Sequence, residues 1–94
     1  MSPNFNHQVL IPQENVVIPS LNNGGSLALN ILNSGSVFGK VMATFGGSSI
    51  ELPIPARSNF SEILYNQAVE FVVTNIGDTN VEIYWLYNGK IQQN

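Results

Sequence analysis

Val69-Glu70-Phe71-Val72-Val73-Thr74 and Val81-Glu82-Ile83-Tyr84-Trp85-Leu86-Tyr87 are separated by Asn75-Ile76-Gly77-Asp78-Thr79-Asn80. The two outer runs are β-branched and aromatic, the residues that fit a pleated, half-buried surface. The segment between them is turn chemistry: Asn and Gly accept left-handed backbone at little cost. In the second run Val81, Ile83, Trp85 and Tyr87 share one face, and Glu82, Tyr84 and Leu86 the other, because strand side chains alternate. In the first, Val69, Phe71 and Val73 face inward and Glu70, Val72 and Thr74 outward.

The same pattern extends outward from this pair. Leu27-Ala28-Leu29-Asn30-Ile31 alternates, with Leu27, Leu29 and Ile31 opposing Ala28, Asn30 and Leu32. Over 36–45 the expected inward set is Val37, Val41, Ala43 and Phe45; Phe38, Lys40, Met42 and Thr44 point out. Ser49 to Leu52 and Val16 to Ile18 complete the set, and Phe5 to Ile11 is a weaker strand. Asn23-Gly24-Gly25, Asn33-Ser34-Gly35, Gly46-Gly47-Ser48 and Asn88-Gly89 punctuate the runs at the spacing of a meander or sandwich. Pro53 and Pro55 argue against a central strand. Ser58-Asn59-Phe60-Ser61-Glu62 is close to a capping-box pattern, so 53–67 is expected to be a crossover holding at most one short helical turn near 58–65. Leu29 to Val41 and Phe71 to Trp85 echo each other as strand, Asn-x-Gly, strand, which suits two hairpins in two packed sheets without establishing a duplication.

Composition sets the class. The chain has 94 residues, 44% hydrophobic and only 10% charged, with formal net charge −3. That length makes one domain, 1–94, with 1–13 read as a flexible or partner-swapped N-terminal arm. Three Lys+Arg against six Asp+Glu remove the basic footprint of a nucleic-acid binder. No apolar run reaches the roughly 18 residues of a membrane-spanning helix, so neither nucleic acid nor membrane is an expected partner. The absence of cysteine excludes a disulfide scaffold and a thiol nucleophile. Thirteen Asn, nine Ser and eight Gly carry the polarity in place of Lys and Glu, and low charge weakens the usual defence against association. The start, Met1-Ser2-Pro3-Asn4, has no basic stretch followed by an apolar one, so the expectation is synthesis in a cytoplasm without secretion.

Phe71-Val72-Val73-Thr74-Asn75-Ile76-Gly77-Asp78 resembles the F-V-x-T-N-x-G-D hairpin of bacterial and phage immunoglobulin-like modules. Leu52-Pro53-Ile54-Pro55-Ala56 is similar to the crossover that precedes it there, with Arg57 where glycine is usual. The resemblance covers about a third of the chain. It implies an all-β, small Greek-key, immunoglobulin-like β-sandwich of about seven strands. It also implies a setting, since such modules occur among decoration and accessory proteins of phage virions.

The functional residues follow from the outward set. Tyr84, Leu86, Val72, Phe38, Met42 and Leu32 are apolar where water is expected, the mark of an interface. Tyr84, Leu86 and Val72 form its expected centre, on paired strands of the 75–80 hairpin, with Glu70 and Glu82 as rim. The reading is a non-enzymatic structural protein, a virion decoration or accessory module that docks on a protein lattice as a homo-oligomer. The alternative is an extracellular carbohydrate-binding or lectin-like module, with Tyr84 as stacking ring. Catalytic constellations fail on inventory. His7 is the sole histidine and Asp78 the sole aspartate, one placed in the N-terminal arm and one in a turn. The carboxylates lack metal-ligand spacing, Glu70 with Glu82 reads as exposed sheet surface rather than a glycosidase pair, and the Gly-Gly-Ser turns open no helix. No cofactor and no metal is expected.

Overall fold

The computed structural model describes residues 6–18, 26–65 and 70–88, and these form eight strands and no helix. They are β1 (Asn6–Leu10), β2 (Asn15–Ile18), β3 (Ser26–Asn33), β4 (Gly39–Phe45), β5 (Ser48–Ile54), β6 (Ser58–Tyr65), β7 (Phe71–Asn75) and β8 (Val81–Asn88). Two antiparallel four-stranded sheets result: sheet A in the order β1-β8-β3-β6, sheet B in the order β2-β7-β4-β5.

The order has a simple origin. The chain is one long hairpin with its tip at Gly46–Gly47. Both glycines are left-handed, φ 57° and 85°, as the tightest hairpin turns require. From that tip β4 pairs β5, β3 pairs β6, β2 pairs β7 and β1 pairs β8. Rolling the hairpin adds the β3–β8 and β4–β7 pairs and closes the sheets. That is a jelly roll. An immunoglobulin-like sandwich pairs its first two strands; here β1 and β2 lie in different sheets, so the immunoglobulin-like expectation is corrected. The 75–80 segment is accordingly no hairpin turn. It is an arch that carries the chain from sheet B to sheet A, and 34–38 is its counterpart from A to B.

The helical turn expected near 58–65 is instead the whole of β6, and the strand count rises to eight. Ser58–Tyr65 pairs residue for residue with β3, from Ser26↔Tyr65 to Asn33↔Ser58. The capping pattern is a local preference; the unpaired edge of β3 is a row of backbone donors and acceptors that only another strand satisfies in full. Pro53 sits within β5, which is an edge strand, where a missing N–H is tolerated.

The core lies between the sheets. Leu10, Ile18, Leu27, Ile31, Val41, Ile54, Val73, Val81 and Ile83 are fully buried, and Leu29, Phe71 and Trp85 nearly so. The inward sets of β3, β7 and β8 are therefore those expected, apart from Val69 and Tyr87, whose side chains lie outside the described residues. In the 36–45 segment the two ends depart. Val37 is 53% exposed because it belongs to the arch, and Phe45 is 39% exposed at the strand end against Phe71. Asn6–Leu10, read as part of an arm, is β1, with Leu10 in the core; residues 1–5 lie outside the described residues.

Among the described residues two polar side chains are buried, Asn33 and Asn75. Asn33 Oδ1 accepts the Gly35 N–H at 3.0 Å, and its Nδ2 donates to the carbonyls of Val37 and Ile54 at 2.8 and 2.9 Å. Asn75 repeats the set on Gly77, Thr79 and Leu10, at 3.0, 2.8 and 2.9 Å. Each amide closes its own arch and ties it to the end of an edge strand. The second arch also packs on the start of β4: Ile76 N donates to the Lys40 carbonyl at 3.0 Å, and a Cβ on Gly77 would lie 2.8 Å from Lys40 N.

The repetition is general. Advancing every strand by four turns β1-β8-β3-β6 into β5-β4-β7-β2, which is sheet B. The chain is thus two similar halves related by an approximate two-fold axis that exchanges the sheets. Gln13 and Arg57 are the only left-handed non-glycine residues among those described, φ 78° and 56°, and occupy matching turns after β1 and β5. The β1–β8 and β5–β4 registers correspond, as do β3–β6 and β7–β2, while the central pairs β3–β8 and β7–β4 differ by two residues.

Candidate interaction surfaces

The outward residues of sheet A include three successive cross-strand rows: Val9–Glu82–Leu32–Asn59, then His7–Tyr84–Asn30–Ser61, then Leu86–Ala28–Ile63. Three of the six expected interface residues, Leu32, Tyr84 and Leu86, come together here, half-buried, with Ile63 beside them at 52% exposure. Val72 and Met42 lie on the outer face of sheet B, beside Val17. Phe38 stands in the arch between β3 and β4, 55% exposed. The expected patch centred on Tyr84, Leu86 and Val72 is therefore divided. Strands β7 and β8 are consecutive in sequence but belong to opposite sheets, so Val72 faces away from Tyr84.

The polar side chains of the sheet A face are engaged with one another. The Glu82 carboxylate is the hub. Tyr84 Oη donates to its Oε1 at 2.8 Å, His7 Nε2 lies 3.2 Å from the same oxygen, and Ser34 Oγ donates to Oε2 at 3.5 Å. The His7 ring also stacks on Tyr84, centroids 4.4 Å apart and planes 14° from parallel. The bond to Glu82, more than partial desolvation or the carboxylate's charge, holds the Tyr84 phenol above its ordinary pKa. On the β6 side Asn59 Nδ2 donates to Asn30 Oδ1 and to Ser61 Oγ, both at 3.1 Å. A network satisfied from within loses little when a partner covers it, whereas free polar groups each carry a desolvation cost.

The outer face of sheet B carries polar groups of its own. Lys40 Nζ lies 3.4 Å from Glu51 Oε1, and Asn15, Thr44, Thr74 and Ser49 surround Val17, Val72 and Met42. Among the described residues the buried polar side chains are Asn33 and Asn75, both spent on backbone groups. Among the described residues no group of three or more His, Cys, Asp or Glu is placed to hold a metal ion.

No protein-family model matches the sequence, and no curated protein sequence does. Solved structures do match. The core of Drosophila NLP, described for pentamer formation and histone binding, is 15% identical with a TM-score of 0.66, covering 92% of this chain and 98% of that one. A de novo designed double-stranded β-helix is 16% identical with TM-score 0.56, covering 90% and 99%. The C-terminal CBM6 of LamC, a laminarinase from Zobellia galactanivorans, is 15% identical with TM-score 0.53, covering 82% and 75%. The likeness is one of fold. It agrees with the rolled-hairpin topology of two packed sheets.

Sequence reading missed two residues of the sheet A face, Ile63, which fell in the stretch read as a crossover, and His7. Alternation outward from Leu10 puts His7 and Val9 on the outer face, and that signal is present in the sequence. That His7 meets Tyr84 and Glu82 depends on the β1–β8 pairing, which joins the two ends of the described chain.

Proposed function

We propose that the chain is a non-enzymatic assembly module that docks onto protein through the outer face of sheet A. The observation that carries this reading is the composition of that face. Leu32, Tyr84, Leu86 and Ile63 gather around polar side chains already bonded to one another. An apolar centre with a satisfied polar surround is the anatomy of a protein interface. A chain with 10% charged residues has few charges to keep such a face apart from others. The pentamer-forming NLP core supports assembly as a use of this fold. The virion lattice implied by the sequence resemblance is the setting proposed for it. Sedimentation at increasing concentration, alone and with candidate lattice proteins, tests the reading. Leu86→Lys is expected to abolish association while changing folding stability by about 1 kcal/mol or less. A variant that associates like the parent removes the docking face.

A second reading, carbohydrate binding, is favoured by one arrangement. Tyr84 stands between His7 and Asn30, with Asn59 and Glu82 within the same two rows. A ring flanked by amides and a carboxylate suits a neutral sugar, and a carbohydrate-binding module shares the fold. In that case Tyr84→Ala loses retention on a glycan column and Leu86→Lys keeps the parent's oligomeric state.

A further inference from the structure

The edge strand β1 is held to the rest of the described chain in two ways. Along its length it pairs with β8, from Asn6↔Trp85 to Leu10↔Val81. At its end the turn Ile11-Pro12-Gln13-Glu14 carries the chain from sheet A to β2 in sheet B. Of the strand's five side chains only Leu10 is buried. The Glu14 N–H closes the turn on the Ile11 carbonyl at 3.0 Å, and the Ile11 N–H donates to Glu14 Oε1 at 3.1 Å. Pro12 stands second in the turn and Gln13 third, with φ 78°. A left-handed third residue is where such turns take glycine, so this glutamine is held against its backbone preference. All four turn residues are exposed, and water replaces their hydrogen bonds when the turn opens.

We infer that the β8 edge accepts β1 from a second copy of this chain, so that two copies exchange their β1 strands and form a dimer. The inference is independent of the docking reading. The contacts that seat β1 all run from β1 to other strands. They are the five-residue register with β8, Leu10 in the core, the Leu10 carbonyl on Asn75 Nδ2, and the His7 ring on Tyr84 and Glu82. An identical β1 from another copy makes every one of them, so the occupant is already written in the edge that receives it. What differs between the closed and the exchanged form is the turn. In the exchanged form 11–14 runs extended from one copy to the other, and Gln13 leaves the left-handed region. That region disfavours an L-residue about five- to thirty-fold, and two turns open per dimer. Their release favours exchange by about 30- to 900-fold. A strand on a short tether meets its own edge at an effective concentration of about 1 mM. The exchanged dimer is therefore expected to have a dissociation constant of about 1–30 μM. The matching turn at Arg57 is also left-handed, but it lies between β5 and β6. Opening it parts β1–β5 from β6–β8, most of both sheets, where opening at Gln13 releases one edge strand.

Refolding from urea at low and at high concentration, followed by sedimentation, tests this on the full chain. Chains refolded dilute are expected to be closed monomers, and any association they show on later concentration is docking, reversible on dilution. Chains refolded at several hundred micromolar are expected to include a dimer that persists on dilution, because it separates only when β1 unpairs. Leu86→Lys, which removes docking, is expected to keep that dimer. Gln13→Gly, which suits the closed turn, is expected to raise its dissociation constant about tenfold or more. Deleting Pro12 and Gln13 removes both central residues of the turn, so β1 cannot fold back and the variant is expected to be a dimer at every concentration at which it folds. If that variant is a folded monomer, or if Gln13→Gly dimerises like the parent, the inference is overturned. A parent chain that refolds only to monomer at high concentration overturns it too. If the concentrated parent yields a dimer that Leu86→Lys lacks, association runs through the sheet A face: the exchange falls and the docking reading stands.

Discussion

Asn33 and Asn75 make the same three hydrogen bonds in the two halves of the molecule. In each, Oδ1 accepts the N–H two residues on, and Nδ2 bridges the carbonyl four residues on to the last carbonyl of a distant edge strand. Both side chains are completely buried, and their bonds to the Ile54 and Leu10 carbonyls are buried with them. An aliphatic side chain at either position strands two carbonyls and an amide. Asn33→Ala and Asn75→Ala are each expected to cost about 3 kcal/mol or more, and by similar amounts. Urea denaturation reads both; a loss under about 1 kcal/mol in either would show that its arch closes without the amide.

The two left-handed side chains offer the opposite sign. Arg57, φ 56°, and Gln13, φ 78°, hold a conformation that costs an L-residue about 1–2 kcal/mol. Glycine removes that strain and adds about 0.5–1 kcal/mol of lost chain entropy. Arg57→Gly is therefore expected to be neutral or stabilising by up to about 1 kcal/mol, and Arg57→Val destabilising. Thermal unfolding of the pair decides it.

Adjacent aromatic residues on β8 have opposite fates. Trp85 faces the core and Tyr84 the outer surface of sheet A. Trp85→Ala is expected to cost about 3–5 kcal/mol, a large part of what a small domain possesses. Tyr84→Ala is expected to cost about 1 kcal/mol. Equal losses in chemical denaturation would contradict the face assignment.

Truncation separates an arm from a strand. Removing residues 1–10 takes Leu10 from the core, exposes the edge of β8 and leaves Asn75 Nδ2 without the Leu10 carbonyl. The shortened chain is expected to unfold or to lose several kcal/mol. Retention of the parent melting temperature would return 1–10 to the status of an accessory arm.

The inward and outward sets of β3, β7 and β8 were legible in the sequence because alternation is a property of each strand alone. Left-handed chemistry at Gly46–Gly47 was legible for the same reason: backbone sterics act within a residue or two. The strand at 58–65 was not, because its local pattern also suited a helical turn, and what decided was the unpaired edge of β3. The candidate surface was legible as a set of outward apolar residues but not as a patch.

Sequence by itself determined that Phe71–Asn75 and Val81–Asn88 are strands, which face of each is apolar, and that Asn-x-Gly turns the chain after β3 and β7. Only the tertiary structure decided that those turns are arches between sheets and not hairpins within one. The Nδ2 donors of Asn33 and Asn75 find the carbonyls of Ile54 and Leu10, 21 and 65 positions away. Those distant partners put β7 and β8 in opposite sheets, separated Val72 from Tyr84, and brought His7 to Glu82. Side-chain direction is set within a strand, where neighbours along the chain suffice. Strand pairing is set by hydrogen bonds and burial between segments far apart in sequence, and these exist only once the hairpin has rolled up.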